Sequence, residues 1–177
     1  AVQWRFADRD DVRGVVLASR AVARGPVARL VARGARHSDA WTPDKAGLVM
    51  AFDAAGLSVL AIDAEHGGRI DGPKNLAIAL AAFELAWVDA GAATTMLGNV
   101  LALAPIHERG TDEQRARYMG LVAPGRPGDP REPWHGAFVL TEPLPHAGVD
   151  AGILDGKMRI AEWKPGKEPV LQIDKRG

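Results

Sequence analysis

Apolar and small positions in the first third of the chain step by three and four. Val12, Val15, Val16, Ser19 and Val22 fall on one face, and this spacing predicts a helix over 8–33. Pro26 lies inside that stretch and cannot donate a backbone hydrogen bond, so a kink or break is expected there. Thr42-Pro43-Asp44 combines an N-cap, a proline at the first helical position and an early carboxylate. The helix it opens carries Leu48, Val49, Met50 and Phe52 and is expected to end near Gly56.

A short apolar run, LSVLAI at 57–62, precedes Glu65-His66-Gly67-Gly68, which reads as a turn. The strongest helical pattern lies between Gly72 and Asp89. Leu76, Leu80, Phe83 and Trp87 form one stripe there, while Ile78, Ala82 and Leu85 make other faces apolar too. A helix apolar on nearly all sides is expected at the centre of a bundle. A second apolar helix is predicted over 92–104, and Thr111-Asp112-Glu113-Gln114 spells a capping box for a helix running to about Ala123.

The pattern changes at Pro124. PGRPGDPREP cannot be helical, and GAFVLTEP (136–143) and PVLQIDKRG (169–177) hold short β-type runs between turn residues. An α+β chain follows: a helical body over 1–123, a Pro/Gly-rich linker over 124–133 and the start of a β-rich part over 134–177. That last part is too short to close a sheet on a core of its own, so the chain reads as incomplete relative to its fold.

Composition narrows the function. The chain of 177 residues is 47% hydrophobic, enough for a real core, and its 22 Lys and Arg balance 22 Asp and Glu, so no net field draws nucleic acid or an anionic membrane. Arg9, Arg13, Arg20 and Arg24 recur at helical spacing; a solvated helix face is the favoured reading over a phosphate patch. The absence of cysteine removes disulfides, thiol catalysis and thiolate metal sites. No segment has the length of uninterrupted apolar sequence that a membrane helix needs, and the start lacks the apolar core of a signal peptide, so a cytoplasmic protein without membrane insertion is expected.

His66, His107 and His135 make no spaced ligand set, so no metal is expected. The glycines fit neither a dinucleotide fingerprint nor a phosphate loop. Trp4, Trp41, Trp87, Trp134 and Trp163 are spread too widely to stack on nucleic acid.

Three segments, in order, resemble the acyl-CoA dehydrogenase family. AAGLSVLAIDAEHGG (54–68) looks like that family's helix end, apolar run and Glu-x-Gly-Gly turn. LALAPIHERGTDEQRARYMGLVAPG (101–125) is similar to its apolar helix followed by a Gly-Thr-x-Glu-Gln passage. GAFVLTEP (136–143) is similar to its flavin-contacting strand and Thr-Glu-Pro turn. The resemblance implies an N-terminal α-helical bundle followed by the first strands of a β-barrel-like middle domain, with the family's C-terminal helical domain missing from this chain.

The same resemblance implies FAD as cofactor and α,β-dehydrogenation of an acyl-CoA thioester. Electrons would pass to an acceptor such as an electron-transfer flavoprotein, and the enzyme would be a homo-oligomer. Phe138 and Leu140 would lend backbone groups to the flavin, and Thr141 both backbone and hydroxyl, while Glu142 and Pro143 shape the turn. Gly148 and Val149 fall on the loop that the family lays against cofactor phosphates and the thioester end of the substrate. That loop departs from the family's Gly-Ala-Gly-Ser-Asp: it is longer, His146 stands for the first glycine and Val149 for the serine. Met96, Leu97 and Val100 are candidate acyl-pocket residues alongside Val149. No residue is assigned as the catalytic base, which the resemblance puts beyond Gly177; the isolated chain is expected to be inactive. The alternatives are a flavin oxidase or monooxygenase on the same scaffold, or a non-enzymatic helical module of a split protein.

Overall fold

Asp10 and Asp11 place two carboxylates on the free amides of a helix start, and α1 (Asp10–Val22) grows from there with Val12, Val15, Val16, Ser19 and Val22 buried. These are the positions that the spacing predicts. The computed structural model describes residues 8–34, 39–123, 133–138 and 156–174. It divides into two compact units, Ala1–Ala137 and Phe138–Gly177.

Pro26 does not break the first rod, but the regular α-helix is interrupted there. A proline ring crowds the carbonyl four residues back, and the chain relieves this by widening into a π segment, Ala23–Val27, in which the Ala28 amide reaches back to the Ala23 carbonyl. The rod then resumes as α2 (Ala28–Ala32). Ala23 and Val27 are fully buried on the inner side of the wide turn.

The Thr42 hydroxyl accepts the Lys45 amide at 3.3 Å and opens α3 (Pro43–Ala55), which Gly56 ends in a left-handed conformation at φ 72°. The apolar run after it forms neither helix nor strand, yet Leu57, Val59, Leu60 and Ile62 are each at most 2% exposed. They face two ways. Leu57 and Leu60 join the main core with α1, α3, α4 and α5, whereas Val59 and Ile62 join a smaller cluster with Leu103, Met119 and Val122. A 3-10 turn, Ala64–His66, follows and closes on Gly67 at φ 98°.

α4 (Asn75–Ala86) packs against α1 on one side and α5 on the other. Its burial corrects the expectation of a fully buried central helix. The buried face is Ala77, Ala81 and Leu85, while Phe83 is 60% and Trp87 77% exposed. The small alanines win the inner face because they let neighbouring helices approach; the bulky stripe points outward, with Phe83 and Trp87 rings 6.3 Å apart.

Asp89 caps the next helix, accepting the Ala92 amide at 2.8 Å, and α5 runs Ala90–Arg109. It extends five residues past the predicted end at 104. Pro105 costs it one backbone bond, on a turn where Leu101 is already exposed, and the helix continues through. The capping box forms as expected: the Thr111 amide donates to Gln114 Oε1 at 2.9 Å and the Gln114 amide to Thr111 Oγ1 at 3.2 Å, opening α6 (Asp112–Val122).

Three of the four arginines of the basic face are paired: Arg9 meets Asp11, Arg13 meets Asp10 and Arg20 meets Glu84; further along, Arg33 meets Asp44. These bonds account for those arginines without a phosphate ligand.

The second unit contains a hairpin of β1 (Lys157–Glu162) and β2 (Val170–Asp174). The strands are antiparallel, pairing Met158 with Ile173 and Ile160 with Leu171, and the register shifts between Ile160 and Glu162. β1 was not foreseen, although Asp155-Gly156 and Pro165-Gly166 flank it as turn residues: KMRIAE has only Met158, Ile160 and Ala161 as apolar positions, a weak strand pattern. Arg159 bonds across to Gln172 Oε1 at 2.9 and 2.6 Å, and Met158, Ile160, Leu171 and Ile173 share the opposite face.

Candidate functional site at the α5 spine

α5 is the element around which candidate site features gather. Within its apolar sequence MLGNVLAL stands one polar residue, Asn99, only 5% exposed. A buried amide is costly unless hydrogen-bonded, and Asn99 is bonded at both ends. Its Oδ1 accepts the Gly136 amide at 2.6 Å, and its Nδ2 donates to the Ser58 carbonyl at 3.4 Å. Ser58 in turn gives its hydroxyl to Asp53 Oδ1. His135 Nε2 lies 3.0 and 3.1 Å from the two Asp53 oxygens.

Approach to α5 at this point depends on small residues. A Cβ on Gly136 would sit 2.4 Å from the Ala102 methyl, and the Gly136 carbonyl lies 3.6 Å from where a Cβ on Gly98 would be. Gly98, Asn99 and Ala102 therefore form a shallow seat for the incoming backbone. The neighbouring Trp134 amide donates to the Leu121 carbonyl at 3.0 Å.

Beside the C-terminal half of α5 is a cavity of about 300 Å³, lined by Val100, Leu103, Ala104 and Ile78 with Lys74 and His107 among its polar members. Asp63 ties that rim together: Lys74 Nζ bonds its Oδ1, and His107 Nε2 lies 3.1 Å from its Oδ2. The Lys74 hydrogen bond holds the Asp63 carboxyl below the ordinary carboxylate range against the opposing effect of burial, with His107 and His66 adding to the effect. A second cavity, about 360 Å³, lies between α2, α3 and the start of α5, lined by Leu30, Trp41, Leu48, Ala92 and Thr95.

The candidate acyl-pocket residues separate. Met96 is buried in the main core and Leu97 packs against the same core, whereas Val100 lines the first cavity. Phe138 is 48% exposed at the first position of the second unit. Leu140, Thr141, Gly148 and Val149 lie outside the described residues. Sequence reasoning placed Asn99 only within the stretch 95–100 offered as acyl-pocket lining, and missed its bonds and the roles of Asp53, Ser58 and His135. A lone asparagine between a glycine and apolar residues in a buried helix was the available signal. His135 gave none, since its partner is 82 positions away. Among the described residues no group of three acidic, His or Cys side chains is placed to hold a metal ion. Among the described residues no helix is long and apolar enough to cross a membrane.

No curated protein and no solved structure matches the chain. The family model described as acyl-CoA dehydrogenase, N-terminal domain, matches residues 17–126. That span runs from within α1 to just past α6 and takes in Asn99, Ser58 and both cavities. With more than half of its length matched, and the matched part folded as helices, the chain belongs to the acyl-CoA dehydrogenase family.

Proposed function

We propose that this chain is the N-terminal part of an FAD-dependent enzyme that α,β-dehydrogenates an acyl-CoA thioester. The match of the helical domain to the family carries this reading, and the strand-turn sequence GAFVLTEP at 136–143 supports it. When bound, FAD supplies two-electron acceptance. Of the residues assigned to it, Phe138 is the described one. Its aromatic side chain is half-exposed, which fits a residue beside a flat apolar ring. Leu140 and Thr141 would continue that edge with backbone groups and a hydroxyl, and Gly148 and Val149 would face the cofactor's phosphates and the thioester end.

The helical unit would contribute the acyl wall. Val100 faces a cavity of about 300 Å³ with Leu103 and Ile78, room for an aliphatic chain, while Met96 and Leu97 would back that wall from the core. Four of the described carboxylates are already engaged: Glu84 by Arg20, Asp63 by Lys74, Asp53 by Ser58 and His135, Asp112 by Arg115. None of these is assigned as the base.

The test is made on the intact protein that carries this chain. Flavin absorbance, and reduction of a dye acceptor with a panel of acyl-CoA thioesters, are the expected results. A colourless protein that neither gains flavin on reconstitution nor turns over any thioester would overturn the reading. Val149 in place of the family's serine favours a second reading, a flavin oxidase on the same scaffold. Oxygen consumption in place of dye or electron-transfer flavoprotein reduction would identify it.

A further inference from the structure

We propose that Asn99 is a positioning residue for the flavin-contacting segment: it pins Gly136, two residues before Phe138, to α5. The inference rests on the flavoenzyme reading above.

Three consecutive residues are each held by a different helix. Trp134 donates its amide to Leu121 of α6, His135 meets Asp53 of α3, and Gly136 donates its amide to Asn99 of α5. Surface connections do not ordinarily need such anchoring, and here it is concentrated where the helical unit gives way to the second one at Ala137 and Phe138. Of the three pins, Asn99 is the one that cannot be exchanged for water. It is 5% exposed, and its 2.6 Å bond to Gly136 is the shortest of the three.

The direction of the Asn99 amide is dictated by its partners. A backbone N–H can only donate and a carbonyl can only accept, so the oxygen must face Gly136 and the nitrogen must face Ser58. Ser58 is itself braced by Asp53, which also receives His135. The two pins therefore share one network, and movement of either is felt by the other. Position 136 is closed to any side chain, because a Cβ would lie 2.4 Å from the Ala102 methyl.

Asn99 also stands on α5 between Met96 and Val100, so the helix that would form the acyl wall also holds the chain that leads into the flavin segment.

The experiment compares wild type, Asn99→Leu and Gly136→Ala in the intact protein. Asn99→Leu keeps the size of the side chain and removes both hydrogen bonds. Gly136→Ala pushes the chain off Ala102 from the other side and leaves every helix residue unchanged. Hydrogen exchange of a peptide spanning 133–141 and the visible absorption band and reduction potential of bound flavin are read in each. Expected in at least Gly136→Ala is about a tenfold rise in exchange of that peptide with α1 and α4 unchanged, accompanied by a shifted flavin band and potential. Unchanged exchange in both variants would overturn the pin. Faster exchange with an unaltered flavin band and potential would overturn its positioning role while leaving the flavoenzyme reading intact. Wild type that holds no flavin would overturn that reading and the positioning role with it, and is distinguished by failing before any substitution is made.

Discussion

The Arg20 guanidinium grips the Glu84 carboxylate with two bonds, Nε to Oε2 at 2.9 Å and a terminal nitrogen to Oε1 at 2.5 Å, and so locks α1 to α4 across their contact. That hydrogen bonding holds the Glu84 carboxyl below its ordinary value, with the charges of Arg20 and Arg24 adding to it and burial opposing. A depressed folded-state value stabilises the fold above the unfolded-state value and is lost as pH falls through the folded one. Asp11, lowered from an ordinary 3.8 to about 2 by its bond to Arg9, behaves in the same sense. Stability should therefore hold down to the ordinary carboxylate range and fall through the acid range below it. Glu84→Gln should lower the urea midpoint at neutral pH and flatten the acid limb, as urea titrations at a series of pH values would show.

Thr111→Ala removes the hydroxyl that accepts the Gln114 amide at the start of α6. A loss of about 1 kcal/mol is expected in a denaturant titration. Thr111→Ser should recover most of it.

The outward stripe of α4 makes a contrasting pair. In the purified 177-residue chain, Phe83→Ala should cost about 1 kcal/mol or less, since the side chain is 60% exposed. Leu85→Ala, at a fully buried position, should cost about 2–5 kcal/mol. Equal losses in urea unfolding would contradict the assignment of faces.

Gly68 and Gly72 separate space from backbone conformation. A Cβ at 68 would lie 1.8 Å from the Ile62 carbonyl oxygen, whereas Gly72 is at φ 72° with nothing within 4 Å. Gly72→Ala should be folded and destabilised by about 1–2 kcal/mol from the left-handed backbone alone. Gly68→Ala should lose cooperative unfolding in a thermal melt or fail to accumulate as folded protein.

Ser19 has a fully buried hydroxyl with no hydrogen-bond partner. Ser19→Ala removes that unmet group, and stability should stay the same or rise by about 1 kcal/mol. A marked loss in the urea midpoint would show that the hydroxyl is bonded after all.

Much of the helical unit is legible in the sequence because its devices are local. Spacing alone identifies the inner face of α1, and the caps at Thr42 and Thr111 need only neighbours three positions away. The α4 face was not legible in the same way. Leu76, Phe83 and Trp87 are as apolar as any core residue, and what sends them outward is the closer fit of Ala77 and Ala81 against other helices. The anchoring of 134–136 was hidden for a different reason: Asp53 and His135 meet only after the whole bundle has formed. The assignment of Leu140 and Thr141 to the flavin rests on family resemblance, since a Thr-Glu-Pro turn read alone is an ordinary turn.

The wide turn at Ala23–Val27 acts as a vernier in the first rod. It holds one residue more than an α-helical turn, about 100° of helical phase; Val27 at its end is buried, and Leu30 and Val31 beyond it pack against the core only partly buried. A single-residue change of length within the turn would thus rotate the distal segment without disturbing the proximal one. In this fold, the place that tolerates a proline is also the place where the helix's facing can be retuned.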